Sequence, residues 1–459
     1  MEGLAVVFML SLDQVFPEVP AKSKILTFLL LPFFISGEAS AQSPSAHSVL
    51  TTTLTWQQCV EQANLYNPDL LAAEKVVTAD QELLYAAYAG FLPSLSANLS
   101  YAYGNSTSTT SNTGATTTLN EASSNFTSYN AGLTLSQNLF SGFQDKAKVD
   151  NAKATLKVAK DTLNATKAQV SYDLKNAFMA MLYAQNLTRL TDEITRRREM
   201  DLKMVQLRFE NGGENKGSVM LTQAYLEQAK YDHLQAMDSI EAAKVQLTKM
   251  IGREGDEEIE VVDSIPENPP PAQVDYKQLV LDTPTYQEAV GNEQIADAAI
   301  TQAASNFYPT LSVTGTTGDV GSEWFPKSNH WSMGVALNIP LFSGGRDFFN
   351  TRSAIESLRS AAFTRSSTLG QVLIKMKQAY TGYVEAVLKV TVDTAFSESS
   401  IVRERIAREK YNNGLETFDD WDLIETDLIT RQKTLLQTKH DRVIAEANWE
   451  LTEGTGVIK

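Results

Sequence analysis

From residue 93 the hydrophobic pattern takes a period of two. Leu95, Ala97, Leu99, Tyr101 and Tyr103 alternate with Ser96, Asn98, Ser100 and Ala102. Tyr129, Ala131, Leu133 and Leu135 alternate with Asn130, Gly132, Thr134 and Ser136. Far downstream, Trp331, Met333, Val335, Leu337, Ile339 and Leu341 alternate with Ser332, Gly334, Ala336 and Asn338. This predicts amphipathic strands over about 92–104, 124–140, 309–320 and 329–342, each with one apolar and one small, polar face. Such alternation suits a half-buried strand of a soluble sandwich. It equally suits a barrel strand with a lipid face and a wet lumen. Tyr101, Tyr103, Phe126, Tyr129, Trp324, Phe325 and Trp331 lie near strand ends, where aromatic girdles form.

The period then changes. Residues 144–210 contain neither Pro nor Gly, and Val149, Ala152, Leu156, Ala159, Leu163, Thr166 and Val170 step by three and four in turn. Ile355, Leu358, Ala362, Leu369, Val372, Met376, Ala379, Tyr383, Ala386 and Val390 repeat that seam, broken only by Arg365. Heptad spacing means long helices in coiled-coil packing, predicted over about 143–210 and 345–412. Shorter return helices are predicted over about 218–250 and 420–453. Trp56–Gly90 reads as helix interrupted at Pro68.

The chain is written twice. Phe91-Leu92-Pro93-Ser94-Leu95-Ser96 recurs as Phe307-Tyr308-Pro309-Thr310-Leu311-Ser312, and Leu139-Phe140-Ser141-Gly142 as Leu341-Phe342-Ser343-Gly344. Arg208-Phe209-Glu210-Asn211-Gly212 recurs as Lys410-Tyr411-Asn412-Asn413-Gly414. The repeats span 42–252 and 276–459, with strand–helix junctions marked by Pro93, Gly142, Pro309 and Gly344. Between them, 253–275 is acidic and Pro-rich and reads as a connector. The segment Gly104–Asn125 has 12 Ser or Thr in 22 residues and is predicted to be an exposed, solvated loop. Four strands cannot close a barrel, for which about eight is the practical minimum, so a membrane-spanning form requires an oligomer.

Targeting signals favour the barrel. An apolar run at 25–35 follows Lys22 and Lys24 and precedes Ala39-Ser40-Ala41, the pattern of a signal peptide over 1–41. Residues 1–20 lack basic side chains, which points to a translation start downstream of Met1. No Cys sits at the cleavage point, so lipid attachment there is not expected.

Composition then excludes several chemistries. The formal net charge is -16, which argues against nucleic acid as partner. One Cys and four scattered His leave no metal cluster and no disulfide framework. The stretch Gly212-Gly213-Glu214-Asn215-Lys216-Gly217-Ser218 follows a helix rather than a strand, so it is not a phosphate loop. No catalytic motif or cofactor site is present, and the charges at Asp192, Glu193, Arg196, Arg197 and Arg198 read as solvated helix faces and ion pairs.

The ordered duplication of Phe-x-Pro-x-Leu-Ser, Leu-Phe-Ser-Gly and the Tyr/Phe-x-Asn-Gly turn resembles the TolC-like outer-membrane efflux protein family, from about Leu54 to Gly456. The resemblance implies an α+β membrane protein of the Gram-negative outer membrane with a periplasmic extension. It implies a homotrimer with a twelve-stranded β-barrel over a twelve-helix α-barrel. The implied role is the passive exit duct of a tripartite pump, joined to a periplasmic adaptor and an inner-membrane transporter, or of a type I secretion system. In such ducts the pump selects the cargo. The helix-turn-helix tips, here 209–220 and 411–422, would form the periplasmic entrance. Adaptors would dock at Gly212, Gly217, Ser218, Asn413, Gly414 and Thr417. Asp419, Asp420, Asp422 and Glu425 would supply an acidic ring; the same carboxylates also suit a helix N-terminus, where they favour the dipole. Trp421 departs from the small aliphatic usual there, and the first tip, with Glu210, Glu214 and Lys216, is mixed in charge. Competing classes are an adhesive coiled-coil surface protein, whose heptads would run unbroken, and the adaptor itself, which has a single hairpin.

Overall fold

The computed structural model describes residues 52–110, 120–253, 259–262, 264–324, 326 and 328–459. The predicted signal peptide and Phe325 lie outside them. In chain order the elements are β1 (Thr52–Leu54), α1 (Trp56–Tyr66), α2 (Pro68–Ala87), β2 (Ser94–Thr110), β3 (Asn120–Phe140), α3 (Gln144–Glu210) and α4 (Lys216–Met250). The second half continues with β4 (Ile259–Val261), α5 (Tyr276–Asp282), α6 (Pro284–Ala304), β5 (Thr310–Gly321), β6 (Ser328–Asn338), α7 (Arg346–Asn412) and α8 (Phe418–Glu453).

The four long strands form one antiparallel sheet in the order β2-β3-β5-β6. Its register puts most of the large apolar positions on one side: Leu95 faces Leu135, Ala97 faces Leu133, Tyr101 faces Tyr129, Thr317 faces Trp331 and Leu311 faces Leu337. Opposite lie Ser94, Ser96, Ser136, Thr134, Thr316 and Ser332, with Thr316 and Ser332 hydroxyls 2.7 Å apart. The apolar face is bare: Leu99 is 83% exposed and Met333 74%. Both outer strands, β2 and β6, lack a second partner among the described residues. On the apolar face the Tyr101 ring packs tilted against Tyr129, and Tyr129 packs edge to face with Trp324, with ring centroids 5.1 and 5.4 Å apart.

Three expectations are corrected. The hydroxyl-rich segment is not all loop: β2 and β3 run on to pair Thr110 with Asn120, because Thr suits a strand as well as it suits a loop. Strand β6 ends at Asn338, short of 342, since Pro340 has no N–H to give the ladder. Phe126 is not in the aromatic girdle. It pairs with Gly104 on the small-residue face, where its ring covers the space a Cβ would take.

The helices α3 and α7 each have 67 residues, about 100 Å of rise at 1.5 Å per residue. Shorter helices back them: α3 packs against α2 and α4 of its own half and against α6 and α8 of the other, and α7 against α6 and α8. No described helix is long and apolar enough to cross a membrane. The junction from β3 to α3 turns through two left-handed residues, Gly142 at φ 63° and Phe143 at φ 70°; Gly344 and Gly345 repeat this before α7. A Cβ on Gly142 would also lie 2.6 Å from the Ser305 carbonyl oxygen. Gly142→Ala is therefore expected to cost about 1–3 kcal/mol and to lower the melting temperature measured in detergent.

Mid-shaft, Trp56, Cys59, Leu174, Phe178, Met181 and Leu247 form a buried cluster. The connector is more than a link. Its strand β4 pairs in parallel with β1, because Ile259 and Val261 alternate into this core. Beyond it, the Asn268 carbonyl accepts from Tyr383 Oη and, at 2.9 Å, from Arg442, while its amide donates to Glu446 at 2.8 Å. These bonds strap the connector onto α7 and α8.

Candidate functional site

The ends of the two helical hairpins bring together four buried charged side chains, Arg198, Asp201, Glu404 and Glu425. Both turns form the same way. In the first, Gly213 N–H donates to the Arg208 carbonyl at 2.7 Å and Gly212 N–H to that of Phe209 at 3.0 Å. In the second, Leu415 N–H donates to Lys410 at 2.9 Å and Gly414 N–H to Tyr411 at 3.0 Å. This closure needs a left-handed residue, and Gly212 and Gly414 supply it at φ 74° and 73°. The return helices start on side-chain caps: Asn215 accepts from Ser218 N–H at 3.0 Å and Thr417 from Asp420 N–H at 3.1 Å.

A small aromatic core holds the two tips together. Tyr411 and Trp421 stack with ring centroids 4.8 Å apart, packed with Phe418, Val205 and Ala407. Trp421, unusual in the sequence, is thus core. Arg208 of α3 lies over the Tyr411 ring at 4.4 Å and donates to the Tyr411 carbonyl at 2.5 Å, capping the end of α7. Tyr411 Oη donates to Glu214 at 3.3 Å; burial and Glu214 push its phenol well above the usual range.

Beneath this core sits an ion network. Arg408 of α7 donates to Asp201 of α3 at 2.7 Å, to Glu404 at 2.5 Å and to Glu425 of α8 at 3.1 Å. Arg197 reaches Glu425 at 3.4 Å. Arg198 reaches Asp422 at 3.4 Å and Thr426 at 3.2 Å, and lies 4.7 Å from the Tyr225 ring centroid. Burial opposes the charge on Arg408, but Asp201, Glu404 and Glu425 overcome it and hold the guanidinium protonated. Burial raises the Asp201 and Asp422 carboxyls despite their arginine partners.

The structure divides the expected acidic set. Asp419 and Asp420 are exposed in the first turn of α8, with Asp420 also accepting from the Thr417 hydroxyl at 2.7 Å. Asp422 and Glu425 correct the expectation of four solvent-facing carboxylates: arginines on α3 draw both inward, and Glu425 is 0% exposed. Among the expected docking positions Gly212, Gly217, Asn413, Gly414 and Thr417 are exposed, while Ser218 is buried inside its hairpin. Arg198 is buried as well, not solvated. Three consecutive arginines on a helix span about 200° of its circumference, a signal that at least one must face inward.

Among the described residues no group of three or more His, Cys, Asp or Glu side chains is placed to hold a metal ion. The network is one of ion pairs between hairpins, suited to holding or releasing them.

The chain matches the outer membrane efflux protein family over residues 59–253 and 276–454. It is 23% identical over 347 residues to the alkaline protease secretion protein AprF of Pseudomonas aeruginosa, covering 72% of this chain and 70% of AprF. It is 22% identical over 342 residues to the outer membrane efflux protein BepC of Brucella suis, covering 71% of each. In fold it is similar to the CmeC outer membrane channel of Campylobacter jejuni, with a TM-score of 0.75 at 16% identity, over 93% of this chain and 94% of that one. The two matched segments coincide with the two halves of a sheet-bearing shaft that ends in paired tips, and the chain belongs to the outer membrane efflux protein family, in the outer membrane with a periplasmic extension.

Proposed function

We propose that three copies of this chain close their sheets into one twelve-stranded barrel and serve as the passive exit duct of a tripartite efflux pump. The observation that carries this is the sheet: one predominantly apolar face, bare in the single chain, and two edges left open among the described residues. In lipid every backbone polar group must be satisfied, so open edges demand closure. Neighbouring copies pairing β6 with β2 would provide it. Leu99, Met333 and Val335 would then face outer-membrane lipid, and the Ser and Thr face would line the lumen. Below, the long helices would form the periplasmic tunnel, closed at its far end by the paired tips.

The exposed turn positions Gly212, Gly217, Asn413, Gly414 and Thr417, with Ser218 beneath them, would receive the periplasmic adaptor and through it the inner-membrane transporter. Asp419 and Asp420, tripled by symmetry, would ring the entrance with negative charge and attract cations. A second reading, the duct of a type I protein secretion system, is favoured by the similarity to AprF, a protease secretion protein.

Electron microscopy of the detergent-purified protein is expected to show a three-fold particle with a hollow shaft of about 100 Å. A monomer or a solid rod would refute the duct. Deleting the chain from its host separates the two readings. Drug hypersensitivity with normal secretion is expected for efflux; loss of a secreted protein with unchanged drug tolerance would favour secretion.

A further inference from the structure

We propose that the outer face of the shaft, between the sheet and the mid-shaft layer of α1, β1 and β4, is a basic docking strip for the carboxylate-bearing glycopeptide mesh of the periplasmic cell wall. The inference goes beyond the duct reading and rests on it only in naming this face as the outer one.

The strip begins as a pattern of sevens. Lys146, Lys153, Lys160 and Lys167 of α3 stand at successive seven-residue steps, and the same row continues as Leu174 and Met181. In heptad-packed helices such a row keeps to one face. Leu174 and Met181 are buried in one cluster with Trp56, Cys59, Ile259 and Val261. The row therefore changes from lysine to apolar side chains where the mid-shaft layer begins: Lys146, Lys153 and Lys160 are exposed, Lys167 is half-buried and Leu174 is covered. Helix α7 follows the same plan. Arg352, Arg359 and Ser366 are succeeded, again at steps of seven, by Leu373, Tyr380 and Val387. These three are partly buried against a cluster that includes Val280 of α5, and Tyr380 Oη donates to the Pro271 carbonyl of the connector at 2.6 Å. A hollow tube can carry such a layer only on its outside, so both basic rows face outward.

Little on this face cancels the charge. Lys146 pairs with Asp150 at 3.2 Å and Arg359 with Glu356 at 2.7 Å. Lys153, Lys160, Lys167 and Arg352 have no ion pair among the described residues. Lys157, between two of them, donates to Gln287 at 3.2 Å. Both flanks of the upper part of α3 are held by helices of its own chain, α2 and α6, so the lysines are not reserved for a neighbouring copy. The chain as a whole has a formal net charge of -16, so this strip runs against its overall sign.

The dimensions of the strip select the partner. Lys146 to Lys167 covers about 31 Å along the helix axis. A lipid surface crosses the shaft at one height and would meet only the first of these lysines. A mesh with depth would meet them all. The shaft stands in the periplasm, where the cell wall supplies such a mesh: glycan strands bearing peptides with free carboxylates. Lysine ammonium groups attract carboxylates as point charges on flexible stems, which suits an irregular polymer better than a fixed fork would.

The test is co-sedimentation of the full-length, detergent-purified protein with isolated cell-wall sacculi. Native protein is expected to sediment with them in about 0.05 M salt and to be released by about 0.5 M, as screening shortens. Lys153→Glu combined with Lys160→Glu is expected to lower the bound fraction about fivefold. Lys203→Glu combined with Lys216→Glu makes the same change in net charge at exposed positions below the layer and is expected to bind as native does. Amidating the carboxyls of the sacculi is expected to abolish native binding, a readout that needs no variant. Binding that survives amidation, or that is equal in the two double variants, overturns the proposal. So does retention on vesicles of anionic phospholipid with none on sacculi. A particle without a hollow shaft that still binds through Lys153 and Lys160 would refute the duct and leave the strip standing.

Discussion

Arg408→Ala is expected to open the shaft. The substitution removes the one group that binds Asp201, Glu404 and Glu425 at once; Arg197 stays paired with Glu425, and Arg198 acts on Asp201 only through its charge. Breaking a buried ion pair by deleting one partner costs about 3–5 kcal/mol. Two of the three contacts join α7 to a different helix, so the loss falls on the packing of one helix end against its neighbours. The aromatic stack of Tyr411 on Trp421 stays but loses the Arg408 guanidinium 5.6 Å from the Trp421 ring. Single-channel conductance is expected to rise several-fold, and cells carrying the variant to become permeable to large antibiotics. Arg408→Lys keeps the charge but cannot fork to three carboxylates, so it is expected to fall between native and Ala. An unchanged conductance in Arg408→Ala would show that the network is only structural.

The second large effect is expected on the sheet, where one residue step separates opposite outcomes. Met333 is 74% exposed on the apolar face, while Ser332 lies on the other face against Thr316. Arginine on the lipid face of a barrel strand costs about 2–4 kcal/mol at mid-membrane, and in the proposed trimer that cost would be tripled. Met333→Arg is expected to abolish assembly, read as loss of heat-resistant oligomer and of outer-membrane protein. Ser332→Arg is expected to assemble normally and to reduce conductance and cation preference, because the added charge stands in the lumen. If Ser332→Arg fails and Met333→Arg assembles, the faces are reversed and the barrel is wrong.

Much of the fold was legible because its causes are local. The alternation around Leu99 and Met333 depends only on neighbouring residues, and the structure sets those positions on one face. The heptad seam from Val149 lies in a helix of 67 residues, and so does its counterpart from Ile355. Strand length was less legible: Thr110 and Asn120 pair although their composition suits a loop equally, and only the partner strand decides. The burial of two of the acidic residues was not legible for a different reason. Asp422 and Glu425 look like any carboxylates in the first turns of a surface helix. Their partners Arg198 and Arg197 stand 224 and 228 residues away, beyond any local pattern.

The sequence by itself determined the doubled plan, the two-faced strands, the length of the shaft and the places where the chain turns. These follow from periodicity and from residues such as Gly212 and Gly414, whose backbone freedom is a property of the residue alone. Only the tertiary structure decided that α3 lies against α8 and meets α7 at the tip, and hence which charges are buried and paired. It also tied the connector to α7 and α8 through Asn268 and, among the described residues, left one face of the sheet and both its edges without a partner. Burial and ion pairing depend on distances between helices remote in sequence, so they exist only once those helices have packed.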